Sequence, residues 1–155
     1  MDTLKVRDAR DVEEVVRAAI ASDQPLEIIG HGSKRAIGQP MATNALLDLS
    51  GLNAVSSYEP NELIITVQAG APLQRVQEAA AARDLFFPLD LAARGSATVG
   101  GCIAMNAGGV RVLRYGMMRE LVLGLEAVLA DGTVLTSLNA MLKNNAGYDL
   151  KQLFI

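Results

Sequence analysis

Apolar positions recur along the chain in two rhythms, helical and extended. In residues 11–22, Val12, Val15, Val16 and Ala19 fall on one face at helical spacing. Asp11 precedes them with Glu14 three residues on, which predicts a capping box at the start of that helix. After Pro25, the short run Leu26, Glu27, Ile28, Ile29 predicts a buried strand. Residues 45–49 predict a second strand. Residues 62–69 (Glu-Leu-Ile-Ile-Thr-Val-Gln-Ala) carry the strongest β signal. Gly70 ends that strand, and Pro72 can open a helix at its first turn. This helix reaches about Arg83, with Leu73, Val76, Ala79 and Ala80 on one side. The expected order is helix, strand, strand, strand, helix. Further on, residues 121–130 predict a long strand. Asp131-Gly132 predicts a two-residue hairpin with residues 133–138 as its partner. The apolar end Leu153, Phe154, Ile155 is an odd place for a domain to finish.

Composition narrows the class. The chain has 155 residues, half of them hydrophobic, with no Trp and few other aromatics. Small aliphatic residues must therefore fill the core, which suits layered helix and sheet packing. A net charge of −3 without a basic stripe argues against nucleic acid as the main partner. One Cys excludes an internal disulfide, and one His with one Cys cannot make a usual zinc site. The N-terminal residues show no apolar run of leader or membrane length. The expectation is a cytoplasmic protein without a transmembrane segment, with peripheral contact at the inner face of a membrane left open.

Two segments could carry chemistry. Gly30-His31-Gly32-Ser33-Lys34 follows a predicted strand, where glycines let backbone N–H groups approach a phosphate and Lys34 adds positive charge. Its spacing fails both the dinucleotide fingerprint and the P-loop, so a plain strand-to-loop turn stays open. The second segment, residues 95–109, is denser in glycine. Thr98 can cap a short helix through Ala104, with Ser96, Thr98 and nearby N–H groups aimed at an anion. Gly100 and Gly101 remove side chains where a ring or pyrophosphate would lie, and Asn106 offers both donor and acceptor. Helix packing through small residues is the plainer alternative. Cys102, between Gly101 and Ile103, reads as a buried inert thiol.

Residues 95–109, followed by Arg114-Tyr115-Gly116, closely resemble the second flavin-binding segment of the vanillyl-alcohol-oxidase-type FAD-binding domain. Within that family they resemble the D-lactate and D-2-hydroxyglutarate dehydrogenases, as do Pro88-Leu89-Asp90 and the tail, residues 142–155. The first ninety residues instead resemble the FAD-binding subunit of glycolate oxidase, through residues 29–34, 58–62 and 68–72. The branch changes near residues 86–93.

The resemblance implies an α+β, two-lobed FAD-binding domain, C-terminally incomplete. The lobes would be residues 1–70 and 90–155, joined by a linking helix at 72–83. It assigns Gly30, His31, Gly32, Ser33 and Lys34 to the first pyrophosphate loop. Pro88, Gly95, Ser96, Gly100, Gly101, Asn106, Gly109 and Gly116 would line the path from pyrophosphate to flavin ring. FAD is the implied cofactor, and partner subunits of a glycolate-oxidase-like complex are implied partners. The implied activity is oxidation of a 2-hydroxy acid such as glycolate or D-lactate. The alternative is a binding module that catalyses nothing alone, with its substrate residues beyond Ile155.

Overall fold

The computed structural model describes residues 2–138 and 147–155. The chain opens with β1 (Asp2–Lys5), α1 (Ala9–Ala21), β2 (Leu26–Ile29) and β3 (Ala45–Asp48). These strands form one parallel sheet with β3 in the middle. Ala45 stands opposite Asp2 on one side and Leu26 on the other. The helix begins earlier than the capping-box reading placed it. Asp8 is the N-cap, accepting from Arg10 N and Asp11 N. Asp11 is spent instead on Arg7, as both ion-pair partner and acceptor of its backbone N–H. A small core of Val6, Leu47 and Leu52 lies beneath this layer, with Val12 and Val15 of α1 packed on it.

The second part starts with a hairpin, β4 (Val55–Glu59) and β5 (Ile64–Val67). A single 3-10 turn at Pro60–Glu62 joins them, which shortens the strand expected at 62–69. Next come α2 (Leu73–Ala81), α3 (Val99–Ala104), α4 (Val112–Tyr115) and α5 (Met118–Leu121). The larger core gathers Leu73 and Val76 of α2, Leu89, Val99 and Cys102 of α3, and Met118 and Val122. Fully burying a Leu or Val contributes about 1.5–3 kcal/mol. Leu73 and Val76, each at most 2% exposed, therefore seat α2 firmly in this cluster, beside Leu89.

The last described pair is β6 (Leu125–Val128) with β7 (Val134–Ser137), antiparallel. Leu121, expected to open the strand, closes α5 instead, and β6 begins only at Leu125. The hairpin connection is longer than two residues. Gly132 N–H closes a turn onto the Leu129 carbonyl, Gly132 takes φ +80°, and Leu129 N–H then bonds to Thr133 O. This is a type I turn ending in a left-handed glycine. Arg17 of α1 donates to the Gly132 carbonyl at 3.5 Å and so ties the hairpin to the first layer. Of the apolar end, Ile155 packs against the larger core while Leu153 is exposed. Residues 142–146 of the tail motif lie outside the described residues.

Candidate functional site

The two glycine segments meet. Gly30 ends β2 against Thr98, the N-cap of α3, so closely that a Cβ on residue 30 would come within 2.6 Å of Thr98 Oγ1. One residue on, His31 Nδ1 lies 3.1 Å from the Ser96 carbonyl oxygen, a bond that spans 65 positions of sequence. A carbonyl oxygen only accepts, so Nδ1 carries the proton. These contacts form a seam between the strand-to-loop turn of the first layer and the entry to α3.

The first loop is open along its backbone. Among the described residues, the N–H groups of His31, Gly32, Ser33 and Lys34 donate to no protein acceptor. His31, Ser33 and Lys34 are exposed. The loop is anchored just beyond these donors. Arg35 grips Glu27 of β2 with Nε to Oε1 at 2.6 Å and Nη2 to Oε2 at 2.7 Å. The Arg35 hydrogen bonds hold the Glu27 carboxyl below its ordinary pKa. Arg35 charge is thus answered locally although its side chain is 44% exposed, and Lys34 adds a further exposed cation. At the end of β3, burial pushes the Asp48 carboxyl up. Hydrogen bonds from Ser50, with Lys5 and His31 nearby, outweigh this and hold it low.

The start of α3 is as expected in position but not in use. Thr98 caps it, with Oγ1 accepting from Gly101 N at 3.2 Å. The preceding N–H groups are spent on the fold: Val99 N donates to Ala71 O and Gly100 N to Ala69 O. These bonds staple α3 to the turn before α2, so its first turn offers few donors to an anion. The open donors lie across the seam, in the first loop.

The glycines divide the same way. Gly100 has Ala69 against it, with a Cβ falling 2.9 Å from Ala69 Cβ. Gly109 pairs with Asp90 in an isolated bridge, at φ +85°, and a Cβ there would meet the Asp90 carbonyl group. Gly95 faces Gln74, and Gly116 faces Glu120. What closely approaches these glycines is the protein itself. Gly101 differs: it is exposed, and Thr98 Oγ1 is the neighbour its Cβ would meet. Asn106, at φ +43°, has its Oδ1 occupied by Arg119 N at 3.0 Å and its Nδ2 turned to Met117 Sδ. Pro88 sits half-buried in the irregular segment before Leu89, whose carbonyl accepts from Gln77.

Asp90 was not singled out by residue type, yet it organises this region. It pairs with Arg94 at 3.0 Å and Arg111 at 3.3 Å, and its carbonyl accepts from Val110 N. The i,i+4 spacing of Asp90 and Arg94 was the available signal. Arg111 also stacks on Phe86, 4.6 Å from the ring centre, and Phe86 lies 5.9 Å from Tyr115. A cleft of about 610 Å³ lies elsewhere, under α1 against β1 and β2. Its walls are mostly apolar, and Arg7 on its rim is paired with Asp11. The seam, not this cleft, is therefore the better candidate site. Burial pushes the Cys102 thiol pKa up, as expected of an inert core thiol. Among the described residues no three His, Cys, Asp or Glu side chains are grouped to hold a metal.

Comparison with known proteins fits this geometry. A sequence profile described as "FAD binding domain" matches residues 3–137. The mitochondrial D-2-hydroxyglutarate dehydrogenase of Rattus norvegicus is 38% identical over 97% of this chain and 31% of its own length. A mitochondrial Schizosaccharomyces pombe protein with a provisional D-lactate dehydrogenase name is 36% identical over 98% of this chain and 29% of its own. Both matches run through residues 86–93. The chain thus spans about three tenths of the length of these relatives. An alkyldihydroxyacetonephosphate synthase structure superposes over 99% of the chain at TM-score 0.79 and 17% identity, which shows the shared fold.

Proposed function

The chain belongs to the FAD binding domain family, and on that premise we propose that it is the FAD-binding part of a dehydrogenase for a D-2-hydroxy acid. The observation that carries this is the seam, which sets an open row of backbone donors beside an exposed Gly101. The residues fit the cofactor. A pyrophosphate needs N–H donors and positive charge, which residues 31–34 supply with the Lys34 ammonium. A flat ring needs backbone without side chains, which Gly101 supplies at the exposed face of α3. Ser33 and Ser96 would add hydroxyls.

When bound, FAD supplies the two-electron oxidation of the hydroxy acid. The chain's own residues hold and orient. Gly32, Ser33 and Lys34 would bind phosphate oxygens, Arg35 would hold their loop on β2, and Thr98 would fix the face of α3. Gly95, Gly100, Gly109, Gly116, Asn106 and Pro88 act in this reading by shaping the backbone that frames the site. The two-lobed arrangement of residues 1–70 and 90–155 belongs to this proposal; the presence of two buried clusters supports it, while α2 and also Ile65 and Val67 of the first span pack on the second cluster.

The relatives favour D-2-hydroxyglutarate and D-lactate as the substrate class, and glycolate is the smallest 2-hydroxy acid, without a stereocentre. Partner subunits and a cytoplasmic setting belong to the same proposal. Among the described residues no helix is long and apolar enough to cross a membrane. We place turnover outside this chain. Its one histidine is engaged at the seam, and among the described residues no three His, Cys, Asp or Glu side chains are grouped around a common point. The test is FAD titration of the folded chain, followed by anaerobic mixing with D-2-hydroxyglutarate, D-lactate and glycolate. Quenching of FAD fluorescence without bleaching by any acid is expected. A folded chain that leaves FAD fluorescence unchanged would remove the cofactor reading, and bleaching would show a complete substrate site here.

A further inference from the structure

We propose that His31 is a positioning residue whose ring N–H clasps the first glycine loop to the second, holding the donors of residues 32–34 toward the pyrophosphate. The inference rests on the reading of this loop as part of the flavin site. It starts from a problem in the loop itself. Three successive N–H groups at Gly32, Ser33 and Lys34 have no protein acceptor among the described residues; the 3.3 Å turn bond from Arg35 N to Gly32 O shapes the loop internally but does not tie it to the second segment. Arg35 anchors the far end of this stretch to Glu27. The near end needs an anchor as well, or the donors must be ordered when the ligand arrives, at a cost in affinity.

The His31 side chain is that anchor. Its Nδ1–H reaches the carbonyl of Ser96 at 3.1 Å, and this oxygen belongs to the backbone turn that leads into the Thr98 cap. That turn is itself rigid. Ser96 N and Ala97 N both donate to Ala93 O, and Ala97 O accepts from Leu73 N. The clasp therefore ties the first loop to a turn fixed by the second core. Gly30 supplies the independent second contact, because only without a Cβ can the strand end lie against Thr98. The clasp also survives ionisation of the ring. Nδ1–H is present in the imidazolium and in the tautomer that the Ser96 carbonyl selects.

The geometry distinguishes the two ring nitrogens, which makes a discriminating test. Asparagine places an amide N–H where histidine has Nδ1–H, whereas glutamine places one near Nε2 and alanine places none. FAD titrations of the parent chain, His31→Ala, His31→Gln and His31→Asn are read by flavin fluorescence, with urea midpoints as the measure of fold. Loss of the clasp should weaken FAD about fivefold in the Ala and Gln variants, the scale of one ordinary hydrogen bond. His31→Asn should stay within about twofold of the parent, because it restores the donor. Unchanged binding in His31→Ala, or His31→Asn as weak as His31→Ala, overturns the clasp while leaving the FAD reading intact. If the folded parent does not bind FAD, that reading fails instead. Nitrogen-15 spectra of the ligand-free chain then decide the clasp alone: a protonated Nδ1 supports it, and an Nε2–H tautomer overturns it.

Discussion

Replacing Gly109 by alanine should damage the fold, and the cost can be worked from its surroundings. Residue 109 holds φ +85°, a left-handed conformation that costs an L residue about 1–2 kcal/mol. Its missing Cβ is also where the Asp90 carbonyl lies, with Asp90 C 2.8 Å from the built position. Alanine must push the two strands of the bridge apart, and the 3.1 Å bond from Val110 N to Asp90 O goes with them. Losing that bond adds about 1 kcal/mol. The total is about 2–3 kcal/mol, or roughly 4–12 °C in Tm for a chain of this size. Gly38 is the internal control. It has φ +92° but nothing within 4 Å of its built Cβ, so Gly38→Ala carries the backbone cost without the collision. Urea unfolding should place Gly38→Ala about 1 kcal/mol below the parent, and Gly109→Ala clearly lower. Equal midpoints for the two variants would refute the reasoning. So would a fully stable Gly109→Ala that had lost FAD, because residue 109 would then face the cofactor and not Asp90.

Gly101→Val should behave in the opposite way: at least tenfold weaker FAD, about 1.4 kcal/mol, with a urea midpoint much closer to the parent than Gly109→Ala. FAD titration beside unfolding separates the two effects, and an unchanged affinity would move the site off α3. Lys34→Glu should weaken FAD more than riboflavin, which has no phosphate, and the difference should shrink as salt is raised. Equal losses for both ligands would mean that Lys34 supports the loop and not the pyrophosphate. Because burial raises the Cys102 pKa, its thiol should react with a thiol reagent far more slowly in the folded chain than in urea. Rapid labelling of native protein at neutral pH would contradict its place in the core.

Local signals were legible where one segment decides its own fate. Leu26–Ile29 forms a strand where its apolar run predicts one, but not a buried one, since Ile28 is 60% exposed; Thr98 caps a helix that ends at Ala104. Elements that exist only through a partner were not. β1 is exposed along all four residues and has no apolar alternation, so its register with β3 defines it. β4 is Val-Ser-Ser-Tyr-Glu, too polar to read as a strand without β5 beside it. At the α1 start two aspartates competed for one cap, and Arg7 decided it by taking Asp11. The glycine density of residues 95–116 announced close approach, but a sequence does not say what approaches. Asp90, Ala69 and Gln74 are brought there by tertiary packing, and so is the meeting of Gly30 with Thr98.

The seam also orders events during synthesis. Its partners stand 65 positions apart, His31 in the opening layer and Ser96 at the approach to α3. A ribosome releases the N-terminal layer first, and that layer can assemble its sheet from β1, β2 and β3. The nascent loop at residues 30–34 then waits, its donors undirected, until residues through Thr98 have left the exit tunnel. If the seam holds the cofactor as proposed, its capture on the growing chain is timed by the second segment, however early the first has folded.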